Sequence, residues 1–158
     1  MEQHTEHHYG PDPRELSLTK TNFWFYVISF PIIIFLLFVL PILRGIEFQL
    51  SIFTIGYIAL ILVLLYLTYR SYRVMAALKR TSCTVTEETV SGVSTPNPNR
   101  GSESFSIRKD EILGIGKKQI NFSMYRYFFA VVLNTKDKQY VLLGVERADE
   151  LIREIRGE

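Results

Sequence analysis

The chain reads as a membrane α+β protein: a two-helix transmembrane hairpin followed by a small antiparallel β-sheet domain with a C-terminal helix. Three observations predict this. Thr21 to Leu43 is a run of 23 residues without Asp, Glu, Lys, Arg or His, and Phe48 to Tyr69 is a second run of 22. After Thr81 the continuous apolar pattern breaks into short alternating segments separated by polar turns, and Glu146 to Arg156 returns to a helical period.

Each apolar run is long enough to cross a bilayer, since about 20 helical residues cover a hydrocarbon core of roughly 30 Å. Burial of both runs inside a soluble protein would need more surrounding chain than residues 81–158 supply. A signal peptide fits the first run poorly, because Glu2, Glu6, Asp12 and Glu15 precede it and no small-residue cleavage pattern follows. We therefore expect a flexible tail over residues 1–20, a hairpin over 21–80 with spans at about 23–43 and 49–69, and a folded domain over 81–158.

Arg44, Gly45, Ile46 and Glu47 join the two spans, and so short a connection demands antiparallel neighbours with both flanks on one side. Arg14 and Lys20 before the first span, and Arg70, Arg73, Lys79 and Arg80 after the second, outnumber the single Arg44 in the turn. By the positive-inside bias both termini are expected in the cytoplasm. Phe23, Trp24, Phe25 and Tyr26 open the first span where Tyr66, Tyr69 and Tyr72 close the second, as amphipathic rings at headgroup depth do. Pro31 is expected to bend the first helix and Pro41 to end it. No ionisable residue occupies the centre of either span, which argues against a self-contained ion pathway. Beyond Tyr69 the pattern stays compatible with helix as far as Arg80, so the second helix is expected to continue out of the membrane.

In the domain, Cys83–Thr86 and Thr89–Ser94 are expected to pair across Glu87–Glu88. Thr95 to Ser102, with two prolines and a glycine, reads as a surface loop. Glu103 to Arg108 is a strand with Phe105 and Ile107 on one face, and Ile112 to Phe122 is another with Gly114 and Gly116 as sites of bending. Tyr127 to Thr135 and Gln139 to Val145 form a hairpin around Lys136–Asp137–Lys138. In the last helix Ala148, Leu151, Ile152 and Ile155 share a face, acids lie near its start, Arg153 and Arg156 near its end, and Gly157 follows.

Two spans, six antiparallel strands and a closing helix, with Cys83 to Ser91, Phe105–Ser106–Ile107 leading to Asp110 to Ile115, and Leu143–Gly144–Val145–Glu146 entering the helix, resemble bacterial membrane proteins that carry a pleckstrin-homology-like domain. The resemblance implies a PH-like sheet or barrel, one strand beyond the six counted, a bacterial inner-membrane location, and a scaffold or recognition role that includes self-association. It does not carry over phosphoinositide binding, because the first hairpin turn here is Glu87–Glu88, which repels polyanions.

The expected function is accordingly a non-enzymatic, membrane-anchored scaffold or protein-interaction module, with a protein partner or a second copy of the chain as its partner. The alternatives are recognition of anionic lipid headgroups and an accessory role beside a transporter. Candidate lipid- or partner-binding residues are Arg70, Arg73, Lys79, Arg80, Lys109, Lys117, Lys118, Tyr125 and Arg126, against the plainer reading of a solvated basic rim. No cofactor, metal or nucleic acid is expected. The one cysteine, Cys83, lies in a strand pattern, and the three histidines, His4, His7 and His8, lie in the tail. Asp110 and Glu111 are adjacent and diverge on an extended strand. Gly114–Ile115–Gly116 lacks the rest of a phosphate loop, and a net charge of +2 is too small for a nucleic-acid surface.

Overall fold

The computed structural model of the chain describes residues 6–45, 52–123 and 126–158. Two long apolar helices lie side by side and antiparallel. The first, α1 (Pro13–Ile34), passes through a π-helical segment, Phe35–Val39, into α2 (Leu40–Leu43). The second, α3, is continuous from Ile52 to Arg80. Phe23 meets Tyr72 with ring centroids 6.1 Å apart, and Phe38 meets Tyr57 at 6.4 Å. Both helices are long and apolar enough to span a membrane, and large apolar side chains on their outer faces, such as Phe25, Ile28 and Ile32 on the first and Ile55, Leu62 and Val63 on the second, are exposed. Such faces are incompatible with water and mark a membrane-associated protein.

Pro41 does not end the first span. The helix continues to Leu43 because the chain widens just before the proline: the Leu40 N–H bonds to the Phe35 carbonyl five residues back, and the altered spacing accommodates a ring that has no N–H to give. Pro31 sits inside α1 without interrupting it. Of the expected connection, Arg44 and Gly45 form a turn, while Ile46, Glu47 and the start of the second span at 49 fall outside the described residues.

The tail is not loose over its whole length. His7–Tyr9 forms strand β1, and α1 begins at Pro13, well ahead of the apolar run. Asp12 caps the helix, its carboxylate accepting from the backbone N–H groups of Arg14 at 2.8 Å and Glu15 at 3.4 Å, and Pro13 occupies the first turn, where no N–H is needed.

The domain consists of two open antiparallel sheets. One has the order β1-β2-β3-β4, with β2 at Cys83–Val85, β3 at Thr89–Asn97 and β4 at Gly101–Arg108; the other has β5 (Gly114–Ser123), β6 (Arg126–Asn134) and β7 (Gln139–Leu143) in sequence order. The sheets do not close into a barrel. A 3-10 turn at Lys109–Glu111 and extended residues Ile112 and Leu113 separate β4 from β5, so no ladder joins them. On the other side β3 and β7 meet through a side chain: the Val141 N–H donates to Ser94 Oγ at 2.9 Å, where β3 slips register.

Two expected features differ. Thr95 to Ser102 is mostly strand, with the turn reduced to the few residues between Asn97 and Gly101, because Thr95 Oγ1 donates to Ser102 Oγ across the hairpin at 2.8 Å and Asn97 pairs with Gly101. β5 keeps its register through Gly114 and Gly116, paired with Asn134 and Val132, and its register shift falls between Asn121 and Ser123. The other hairpins follow the sequence pattern, with Val85 opposite Val90 and Asn134 opposite Gln139.

The core lies between the sheets and α4 (Ala148–Arg156). Val85, Val90, Phe105 and Ile107 from the first sheet meet Val131, Leu133 and Leu142 from the second, and Leu151 and Ile155 of α4 close the open side. Phe105 stacks on Tyr140 at 4.6 Å. Acids at the start of α4, basic residues at its end and left-handed Gly157 as its cap stabilise the helix as its sequence implies.

Candidate functional site

The feature that sets this molecule apart is the junction at which the sheets grip the helical hairpin. α3 leaves the apolar region near Tyr72, and its next two turns enter protein: Val74, Ala77 and Leu78 are buried with Phe128 of β6 and Leu143 of β7, and Leu16 of α1 packs against the same cluster. At the end of the helix Thr81 Oγ1 donates to the Leu143 carbonyl at 2.7 Å, a buried hydrogen bond that fixes α3 to β7. Gly144, next in the chain, has φ +55°, and a Cβ there would lie 2.5 Å from Leu78 Cδ2; only glycine gives both the left-handed turn and the close approach.

A second tie grips the opposite sheet. The Arg73 guanidinium donates from Nε and Nη2 to the Pro98 carbonyl at 3.2 and 2.9 Å, and from Nη2 to the Asn99 carbonyl at 2.8 Å, so it holds the tip of the β3–β4 hairpin. Its other side lies over the Tyr69 ring at 5.9 Å. Tyr72, Arg73, Ala76 and Arg80 form one wall of a cleft of about 240 Å³, with Pro98 and Ser102 opposite.

The N-terminal segment supplies a third tie. The Asp12 N–H donates to the Gly144 carbonyl and the Glu146 N–H to the Gly10 carbonyl, at 2.8 and 2.9 Å, while Pro11 bridges to Val145. β1 then extends the first sheet, His7 opposite Val85 and Tyr9 opposite Cys83. Tyr9 is buried, donates its hydroxyl to the Glu154 carboxylate and lies under the Arg147 guanidinium at 5.1 Å. Burial first, then Glu154, raises its phenol above the usual range. His7 Nδ1 lies 2.8 Å from the other oxygen of Glu154. Beneath them the Cys83 thiol is fully buried, and burial, with Glu154 adding to it, pushes its pKa up to about 12. A neutral, inaccessible thiol is a core group and a poor nucleophile.

The basic residues singled out from the sequence do not form one patch. Arg73 and Arg80 share the cleft at the junction, Arg70 is half-buried one turn nearer the membrane, and Lys79 is exposed. Lys117 ion-pairs with Asp149 of α4 at 2.7 Å and lies over the Phe129 ring. Lys118, the next residue of the strand, is exposed on the other face of β5. Lys109 belongs to a separate cleft of about 460 Å³ with Ile112, Leu113, Ile155 and Arg156. Tyr125 lies outside the described residues, as does the side chain of Arg126. Arg108 pairs with Asp110, whose carboxyl is held below its ordinary range by that hydrogen bond. Among the described residues no three His, Cys, Asp or Glu side chains are placed to hold a metal ion.

The residues that build the junction, Leu78, Thr81, Phe128 and Gly144, carry no chemical signature in the sequence. Asp12–Pro13 does: a cap followed by a first-turn proline marks a helix start and could have placed α1 correctly. No family model matches this chain, and no curated protein or solved structure matches it significantly.

Proposed function

We propose that this protein is a membrane-anchored, non-enzymatic scaffold whose PH-like domain presents a fixed interaction face beside a bacterial cytoplasmic membrane, to a protein partner or to a second copy of itself. The observation that carries this reading is the triple tie at the junction. A domain tethered only for localisation needs a loose linker, whereas here Arg73, Thr81 and the Gly10–Asp12 segment each hold the sheets to the hairpin. Fixed orientation is useful when a partner must be met at a defined height and angle above the bilayer.

The PH-like assignment is supported by sheets of four and three strands closed by a helix, the seventh strand arriving from ahead of the first span. Cytoplasmic placement rests on the basic flanks, Arg14, Lys20, Arg70 and Arg73, against Arg44 in the turn. For the interaction face we favour the cleft at Lys109, Ile112 and Leu113, because Leu113 is 73% exposed and rimmed by Lys109 and Arg156.

A photo-crosslinking residue at Leu113 in the full chain in native membranes is expected to give discrete protein adducts, either of twice the chain mass or with one partner. Lipid adducts alone would remove the scaffold reading. Topology is read separately with single cysteines replacing Gly10, Gly45 and Gly157: the first and last are expected to label from the cytoplasmic side and Gly45 from the other.

A further inference from the structure

We infer that the β5–β6 hairpin is a third foothold on the bilayer, its exposed portion lying at headgroup level beside the two spans, with Tyr127, on the face turned from α3, as its deepest described contact. This rests on the reading of α1 and α3 as membrane spans. The level of the membrane surface follows from α3: about 20 residues from Ile52 bring the helix through a roughly 30 Å core to the neighbourhood of Tyr72, and the headgroup layer extends about 5 Å or more beyond. Trp24, Tyr66, Tyr69 and Tyr72, each about half exposed, form an aromatic belt around that level.

The direction of β6 follows from its contacts. Thr81 bonds to Leu143, which pairs with Ala130, so β6 passes the end of α3 at Ala130. Two residues toward the hairpin tip, Phe128 is 2% exposed and buried in the cluster that contains Val74. Val74 lies about 10 Å nearer the membrane than Thr81 along a helix, and two strand residues advance about 6.6 Å, so β6 descends along α3 toward Tyr72. On a neighbouring face of the helix the β3–β4 hairpin descends likewise, its tip held by Arg73.

Alternation then decides what each face meets. Phe128 faces α3, so Tyr127 and Phe129 face away from it, and they are 58% and 55% exposed. Their cross-strand partners are Asn121 and Gln119, and Lys117 beside Phe129 is already balanced by Asp149. Exposed rings whose described neighbours are uncharged polar groups and a balanced ion pair suit the headgroup zone better than water. Their level on the descending strand, close to that of the belt on the spans, points to lipid as the occupant. Beside two spans the hairpin is a third support, which constrains the tilt of the domain as well as its height.

The test uses the full chain in nanodiscs whose lipids are brominated near the headgroup end of the acyl chains. The chain has one tryptophan, Trp24, so reporters are placed singly in a Trp24→Phe background as Tyr127→Trp, Phe129→Trp and Leu113→Trp. Tyr127→Trp is expected to be quenched about two-fold, Phe129→Trp less, and Leu113→Trp not at all. If Tyr127→Trp behaves like Leu113→Trp while Trp24 in the unmodified chain is quenched, the foothold is overturned and the spans stand. If Trp24 is also unquenched, the membrane reading itself falls and the foothold with it. Shielding of Tyr127→Trp from an aqueous quencher without quenching by lipid would assign the hairpin to a second copy or a protein partner, which also overturns the proposal. Where the tryptophan disturbs assembly, a fluorophore on Tyr127→Cys reads the same depth, since Cys83 is buried.

Discussion

Apolar residues line α3 on both sides of Tyr72, without charges before Arg70 and interspersed with Arg70, Arg73, Lys79 and Arg80 from there on, and the two sets meet different surroundings. Between Ile55 and Tyr72 its apolar residues point outward, with Leu62 60% and Val63 53% exposed; from Val74 to Leu78 four of five residues are buried against the sheets and α1. One helix thus turns apolar residues outward along most of its length and against protein over its last turns. Apolar character alone does not say which. The difference comes from neighbours remote in sequence, Phe128, Leu143 and Gly144, and therefore belongs to tertiary structure.

That contrast can be broken most severely at Leu78. Leu78→Ala leaves a cavity beneath Gly144 and is expected to cost about 3 kcal/mol, whereas Leu62→Ala, on the lipid-facing half, is expected to stay within about 0.5 kcal/mol; unfolding of both variants in the same micelles compares them directly. Equal losses would mean that the upper half is no better packed than the lower.

Arg73 sharpens the comparison at the boundary between the halves. Arg73→Met keeps the stem but removes the donors to Pro98 and Asn99, and is expected to cost about 1–3 kcal/mol and to raise hydrogen exchange at the β3–β4 turn. Lys79→Met, on an exposed residue, is expected to change neither.

Alkaline titration probes the protein-facing side alone. Cys83 has a folded pKa of about 12 against an ordinary 9.0, and Tyr9 is also raised. For raised values the stabilising contribution is complete below the unfolded pKa and disappears as pH climbs through the folded one. Stability is therefore expected to be insensitive to these two groups below pH 9 and to fall above it, by at most about 1.4 kcal/mol per pH unit for each group. Cys83→Ala is expected to flatten the onset between pH 9 and 10, and a melt that declines identically with and without the thiol would refute the assignment.

The smallest effect is expected at the Lys117–Asp149 pair, where Asp149 is 76% exposed at its side chain. Exchanging the two charges is expected to shift stability by less than about 1 kcal/mol and to leave the domain folded.

Legibility in the sequence followed the same division. The hairpin was readable because lipid imposes a uniform requirement on every residue of a span, and the strands of residues 81–158 were readable because alternation and turn chemistry are local. β1 was not: His7–His8–Tyr9 is too short and polar to announce a strand, and its stability derives from β2 and Glu154, more than 70 residues away. The resemblance read in the sequence implies a sheet or a barrel without choosing between them, and the structure has two open sheets, since closure depends on whether β4 and β5 pair across the Lys109–Glu111 turn, which no local pattern decides. The basic residues were all visible, yet their grouping was not. Arg73 holds a hairpin and Lys117 holds a helix, and only their neighbours reveal those tasks.

The pairing of Tyr9 with Glu154 has a consequence for biogenesis. Glu154 comes only with α4, so the Tyr9 hydroxyl finds its partner after both long apolar helices and all the strands have been made. Until then β1 can pair with β2, but the Tyr9 hydroxyl lacks its acceptor and Leu151 and Ile155 do not yet cover the Cys83 layer. Final closure of the domain thus follows synthesis of both long helices, and a chain stalled before α4 is left unsealed, a state that a protease would distinguish from the finished molecule.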